Sequence, residues 1–139
     1  MRKNYHPQDI SKFTKAVFES IGCPPADAAL AADVLIKADL SGVDSHGVAR
    51  LAGYVRLFDH GRLNSNPNIK IIHETPSTAT IDGDKGLGLV VAPKAMEIAQ
   101  EKAQNVGSGW IAVQNSNHFG IAGYHSSLAL KKKMTVLPT

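Results

Sequence analysis

The sequence predicts an α/β protein, with a helical N-terminal segment over residues 1–63 followed by a partial α/β domain over 64–139. Three observations point there. Apolar residues recur at helical spacing up to Phe58. The cluster Asn64-Ser65-Asn66-Pro67-Asn68 then marks a turn or linker. Beyond Ile69 the order reads strand, helix, strand, helix, the pattern of an α/β layer.

Pro7 opens the first helical pattern, carried by Ile10, Phe13, Val17, Phe18 and Ile21 and stopped by Gly22. Pro24 and Pro25 restart the chain, with Asp27 well placed in the first turn of a second helix. Leu30, Val34, Leu35 and Ala38 form its apolar side, and Ser41-Gly42 closes it. A third helix is expected from about Gly47, with Val48, Leu51, Val55 and Phe58 on one side and His60-Gly61 as its stop. Ile69 to His73 and Thr78 to Ile81 are short β-prone runs around Thr75-Pro76, consistent with a hairpin. Asp82-Gly83-Asp84-Lys85-Gly86 reads as a turn, and Val90 to Asn105 as a helix with Ala95, Ile98, Ala99 and Ala103 on one side. Gly107-Ser108-Gly109 breaks it. Trp110 to Val113 has the character of a buried strand, and Gly123 to Leu130 of a helix. Only Met134 to Leu137, closed by Pro138, is left for a further strand, too little for an ordinary α/β sheet.

Composition narrows the function classes. The 139 residues are 43% hydrophobic and 19% charged, enough for a real core and unlike a disordered chain. The net charge of +3 arises largely from Arg2 and Lys3 and from Lys131 to Lys133. A basic stripe alternating with aromatics is missing, so no nucleic-acid partner is expected. The single Cys23 can form neither an internal disulfide nor a cysteine-based zinc site. His73-Glu74 lacks the second histidine of a zinc helix, and no metal is expected. No apolar run is long enough to span a bilayer, and no apolar signal core follows the basic N-terminus. The expectation is a soluble, cytoplasmic protein with no membrane partner.

Two constellations could carry chemistry. The first is Asp44-Ser45-His46-Gly47-Val48-Ala49-Arg50, between the second and third helices. His46 and Arg50 share a face if the third helix starts near His46, and Ser45 would sit where a hydroxyl can cap it. A planar guanidinium beside an imidazole at a helix start suits a carboxylate. The plainer alternative is that Asp44 or Ser45 caps, His46 packs and Arg50 pairs on the surface. The second is Asn115-Ser116-Asn117-His118-Phe119-Gly120-Ile121-Ala122-Gly123, directly after the apolar strand. Ligands of α/β proteins bind at the carboxyl ends of strands, and a histidine there suits acid–base work near neutral pH. An ordinary polar loop containing a histidine is the alternative. Tyr124 could line the same pocket or pack in the core. Gly83-Asp84-Lys85-Gly86-Leu87-Gly88 has neither the Rossmann nor the Walker spacing and reads as a turn into the next helix. His6, His60 and His125 are lone histidines, expected to pack or to lie on the surface.

Taken together, the stretch Ala38 to Arg50, Ala-Asp-Leu-Ser-Gly-Val-Asp-Ser-His-Gly-Val-Ala-Arg, resembles the N-terminal signature of the malate/L-lactate dehydrogenase family. This non-Rossmann family includes ureidoglycolate, sulfolactate and piperideine-carboxylate oxidoreductases. Asn115 to Tyr124 is similar to its second signature, and Thr75-Pro76 and Asp82 to Gly88 fall where the family has similar segments. The resemblance runs from about Tyr5 to Leu130. It implies hydride transfer between NAD or NADP and a small 2-oxo or 2-hydroxy acid such as malate or lactate, in a homodimer. It implies that His118 donates and accepts the substrate proton. Ser45, His46 and Arg50 would hold and polarise the substrate. His118, Phe119, Gly120, Ile121 and Ala122 would touch the dinucleotide. Family members continue well beyond this length, so the sequence reads as a fragment, truncated relative to the family, expected by itself to be oligomeric or aggregation-prone and without NAD(P)H oxidation. Two alternatives stay open: a non-catalytic remnant or interaction module, and a small carboxylate-binding domain without redox chemistry.

Overall fold

The computed structural model describes residues 4–137; Arg2, Lys3 and Pro138 lie outside the described residues. Helix α1 spans Pro7–Ser20 and α2 spans Pro25–Leu40. Each begins at a proline, whose fixed φ and missing N–H suit a first helical position. Gly22, at φ 93, makes the turn between them. The inner face of α2 is mostly small, with Ala28, Ala31, Ala32 and Ala38 beside Val34 and Leu35, so α1 packs closely on it through Phe18.

The third helix, α3, begins at Leu51 and ends at Asp59, not at the expected Gly47. Ahead of it lie two single 3-10 turns, Asp44–His46 and Val48–Arg50. Gly47 separates them in extended backbone, with φ −88 and ψ −151. An extended residue cannot continue a helical hydrogen-bond ladder, so His46 and Arg50 do not share one α-helical face.

The expected hairpin forms. Strand β1 (Lys70–Glu74) pairs antiparallel with β2 (Thr78–Gly86), and the Thr75 and Thr78 hydroxyls close the turn 2.8 Å apart. Strand β2 continues through the segment read as a turn. Asp84 and Lys85 bend it by adopting φ 50 and 56. The Asp84 carboxylate, which accepts from Asn64 Nδ2 and Asn68 N at 2.9 Å each, holds that bend. Helix α4 (Gly88–Val106) crosses over to β3 (Trp110–Ser116), which pairs parallel with β2. The sheet has the order β1-β2-β3.

Strand β3 is not the buried strand its sequence suggests: Trp110 is 61% and Val113 42% exposed. It ends the described sheet, so only one of its edges is paired, and along it Ile111 is the residue that packs against α4. Helix α5 covers Ala122–Leu128, followed by a 3-10 turn at Leu130–Lys132. Met134 to Leu137 forms no strand. No helix among the described residues is long and apolar enough to cross a membrane.

Two clusters make the core. The larger joins Phe18, Val34, Leu35, Leu51, Tyr54, Leu87, Leu89, Val90 and Tyr124, drawing on all five α-helices. The smaller joins Ile81, Val91 and Ala95 to Ile69, Ile98 and Ile111 between sheet and α4. Of the α4 side chains expected to pack, Ala95 and Ile98 lie in this cluster, while the deepest burial falls earlier, at Leu89 to Val91. At Gly88 a Cβ would overlap the backbone carbonyls of Asn117 and His118. Gly88→Ala should therefore cost about 1–3 kcal/mol of stability, the range for overpacking a filled site. Denaturant unfolding measures it, and a variant as stable as the parent would show that the loop yields freely.

Candidate active site

The two sequence constellations meet. The first forms the pair of 3-10 turns between α2 and α3, and the second forms the loop from the end of β3 to the start of α5. The ring centroids of His46 and His118 lie 5.2 Å apart at an interplanar angle of 33°. Ser45 does not cap a helix; its Oγ lies 3.0 Å from His46 Nδ1. Arg50 donates through Nε to the Ser45 carbonyl at 2.7 Å. Among the described residues no carboxylate forms a salt bridge with it.

Tyr54 joins the site from the buried side of α3, and sequence reasoning missed it. Its Oη lies 2.9 Å from His118 Nδ1, and the Gly120 backbone N–H donates to the same nitrogen at 3.2 Å. A backbone amide can only donate, so Nδ1 accepts, the Tyr54 hydroxyl also donates, and Nε2 carries the proton of the neutral ring. Tyr54 follows Arg50 by four residues, a spacing that could have flagged it, but it blends into the apolar stripe of α3.

Burial pushes the His118 pKa below its ordinary value, and the nearby charges of Arg50 and His46 push it the same way. Burial raises Tyr54 to about 12, against a smaller opposing pull from Arg50, so its hydroxyl stays a donor at neutral pH. Both effects favour a neutral His118 held by a protonated tyrosine.

The loop is fastened from several sides. Asn117 Nδ2 donates to the carbonyls of Lys85 at 2.8 Å and Gly86 at 3.2 Å. Gly120 adopts φ 81, and a Cβ there would come within 2.8 Å of Val34 Cγ1. His125, one of the lone histidines, is buried; its Nε2 donates to the Phe119 carbonyl at 2.7 Å. Tyr124 packs in the larger core cluster and donates to Asp33 at 2.7 Å, the core placement among its two readings. The Phe119 ring lies at 25° to His118 with centroids 6.4 Å apart, and it is 42% exposed. Ile121 and Ala122 are half-buried. The glycines of Gly83 to Gly88 serve close packing: a Cβ at Gly86 would meet Pro67 at 2.7 Å, and Gly88 admits the His118 loop. His6, His60 and His73 are exposed and take no part.

The sign of the pH dependence follows. Burial also lowers the pKa of His125, outweighing its bond to the Phe119 carbonyl. As pH falls below the ordinary value of 6.5, the unfolded chain binds protons that the folded His118 and His125 still refuse. Stability is therefore full above that value and is lost as pH falls through the folded pKa values. Histidine ring NMR should give midpoints for His118 and His125 below 6.5, and the melting temperature should drop on acidification from about pH 7 to pH 5. Midpoints above 6.5 would remove the neutral-ring assignment.

The family model described as malate/L-lactate dehydrogenase matches residues 5–138. The L-sulfolactate dehydrogenase of Methanocaldococcus jannaschii is 49% identical over 128 residues, covering 92% of this chain and 37% of the relative. The malate dehydrogenase of Pyrococcus abyssi is 50% identical over 129 residues, covering 92% and 36%. The solved structure of the M. jannaschii sulfolactate dehydrogenase superposes with a TM-score of 0.90 at 49% identity, again over 92% of this chain and 37% of that one. The malate dehydrogenase structure from Entamoeba histolytica superposes with a TM-score of 0.91 at 38% identity, over 95% and 37%. The chain thus spans little more than a third of the length of these relatives, 36% to 37%. A family match running nearly end to end, with the same fold in both solved relatives, establishes that this chain belongs to the malate/L-lactate dehydrogenase family.

Proposed function

We propose that this chain supplies the substrate-holding and proton-transferring part of an oxidoreductase that moves a hydride between NAD or NADP and a small 2-oxo or 2-hydroxy acid such as malate or lactate. The observation that carries the reading is His118, held neutral by Tyr54 and Gly120 next to the Arg50 charge. The names of the relatives, sulfolactate, malate and hydroxycarboxylate dehydrogenases, support the substrate class. The reading includes a cytoplasmic homodimer, carried over from the family resemblance.

The residues fit a nicotinamide. The exposed Phe119 ring, tilted 25° from the His118 plane, provides a flat apolar surface beside the proton-carrying imidazole. His118, Phe119 and the backbone of Gly120, Ile121 and Ala122 would hold the dinucleotide. When bound, it supplies or accepts the hydride at the substrate's second carbon.

The chain's own residues then do the following. Arg50 grips the substrate carboxylate, with Ser45 and His46 beside it. Burial is the larger cause of the lowered His118 pKa and the Arg50 charge the second; the bound anion offsets the Arg50 part and so favours a proton on His118. A hydroxyl can accept as well as donate, so Tyr54 holds the ring in either protonation state. In reduction, a protonated His118 would give its Nε2 proton to the substrate's carbonyl oxygen, leaving a neutral ring whose remaining proton sits on Nδ1 facing the Tyr54 oxygen, before the ring returns to its Nε2-protonated form. Oxidation runs the same steps backwards.

The test uses this chain alone and fused to the remaining portion of the 49%-identical M. jannaschii relative. The assay follows NAD(P)H oxidation with pyruvate, oxaloacetate and the sulfonated analogue. The fusion should turn over at least one of these acids and not its amide. His118→Ala should lower kcat by about 10²- to 10⁴-fold, the usual share of acid–base catalysis, a much larger effect than on dinucleotide binding. Arg50→Lys should raise KM for the acid, because a point charge replaces a two-pronged fork. Equal turnover of acid and amide, or an undiminished His118→Ala variant, would sink the assignment.

A further inference from the structure

The turn that carries Ser45, His46 and Arg50 is bonded mainly to itself. His46 N donates to the Val43 carbonyl at 2.9 Å, Gly47 N to Asp44 at 3.2 Å and Arg50 N to Gly47 at 2.9 Å. Arg50 Nε reaches back to Ser45. Such single 3-10 turns have little intrinsic stability, and Gly47 between them has the largest backbone freedom of any residue. Among the described residues, one side chain outside the turn is hydrogen-bonded to it. The carboxylate of Asp39, in the last turn of α2, accepts from Val48 N at 2.9 Å.

Local preference does not explain an acid at that place. The carbonyl end of a helix disfavours negative charge, so Asp39 works against α2 itself. Across the gap, however, its carboxylate fits closely. A Cβ at Gly47 would overlap it, so the backbone between His46 and Arg50 is pressed against this one group. Val48 N–H is the first donor of the second 3-10 turn and would otherwise lack an acceptor in the ladder. The bond therefore fixes both the height and the rotation of the turn over α2.

We propose that Asp39 is a positioning residue whose carboxylate pins the His46–Arg50 turn to α2 and thereby sets where the acid substrate is gripped. The substrate part of this rests on the function proposed above. Asp39 touches neither substrate nor dinucleotide; it acts through Val48 and Gly47.

The test compares Asp39→Ala, Asp39→Asn and Gly47→Ala with two readouts. In the 139-residue chain, amide exchange at Val48 and the NMR signals of the His46 and His118 rings report the turn directly. Asp39→Ala should speed Val48 exchange about tenfold or more, the loss expected of a hydrogen bond to a charged group, and should shift both rings. Asp39→Asn keeps a carbonyl oxygen for the bond and should stay near the parent. Gly47→Ala, which drives the carboxylate off without removing it, should reproduce the Asp39→Ala pattern. In the fusion enzyme, Asp39→Ala should raise KM for the 2-oxo acid about tenfold or more, leave KM for the dinucleotide unchanged, and be rescued by asparagine. Unchanged Val48 exchange and ring signals in Asp39→Ala, or a disturbed turn with an unaltered acid KM, overturns the proposal. A parent fusion that reduces no 2-oxo acid defeats the function reading alone, because exchange and ring signals still decide whether Asp39 holds the turn.

Discussion

The backbone of Asn117 and His118 lies directly against the first turn of α4, where Gly88 has no side chain to keep it away. Most of the site's geometry depends on that close approach. It brings the end of β3 under α2, so that Gly120 tucks below Val34 and Leu89 in a left-handed conformation. It also delivers the His118 ring to Tyr54 on α3 and to His46 on the preceding turn. Asn117 locks the approach by donating to the last carbonyls of β2. A larger residue at position 88 would move the loop as a unit, since its carbonyls and not a flexible side chain fill the space.

The electrostatics of the site are unbalanced by design of its contents. Arg50, His46 and His118 converge, and the charges of Arg50 and His46 add to burial in disfavouring a positive charge on His118. An anion placed among them would oppose the part of that preference contributed by Arg50 and His46 and so ease proton exchange at His118. Tyr54 suits this exchange because its own ionisation is pushed far from neutral pH, while its hydroxyl can serve either partner role.

The helices and sheet divide this work unequally. The larger core cluster ties all five α-helices together and so fixes the turn, α3 and the His118 loop relative to one another. The smaller cluster only seats the sheet on α4. Strand β3 thus serves mainly to deliver its carboxyl end to the helical side. By strand alternation Trp110 lies on the face opposite Ile111, away from α4, and is exposed, where parallel strands are usually covered on both faces.

Local rules were enough for α1, α2, the hairpin, most of α4 and α5, because proline starts, glycine stops and apolar spacing act over a few residues. The same holds for the two chemical stretches, whose residue types and order were visible together with the family they resemble. What the sequence did not determine lies in contacts between distant positions. The delayed start of α3 follows the extended Gly47, beside which Asp39 accepts from Val48 N, nine residues away. The extension of β2 through Asp84 depends on Asn64 and Asn68. The exposure of Trp110 depends on which face of the sheet α4 covers, which an apolar run cannot reveal. Tyr54 meets His118 across 64 residues, and no periodic pattern encodes such a meeting. Sequence alone determined which groups are present and which short segments carry them. Tertiary structure decided which groups touch, because that choice is made by close packing at glycines and by hydrogen bonds closed over long stretches of chain.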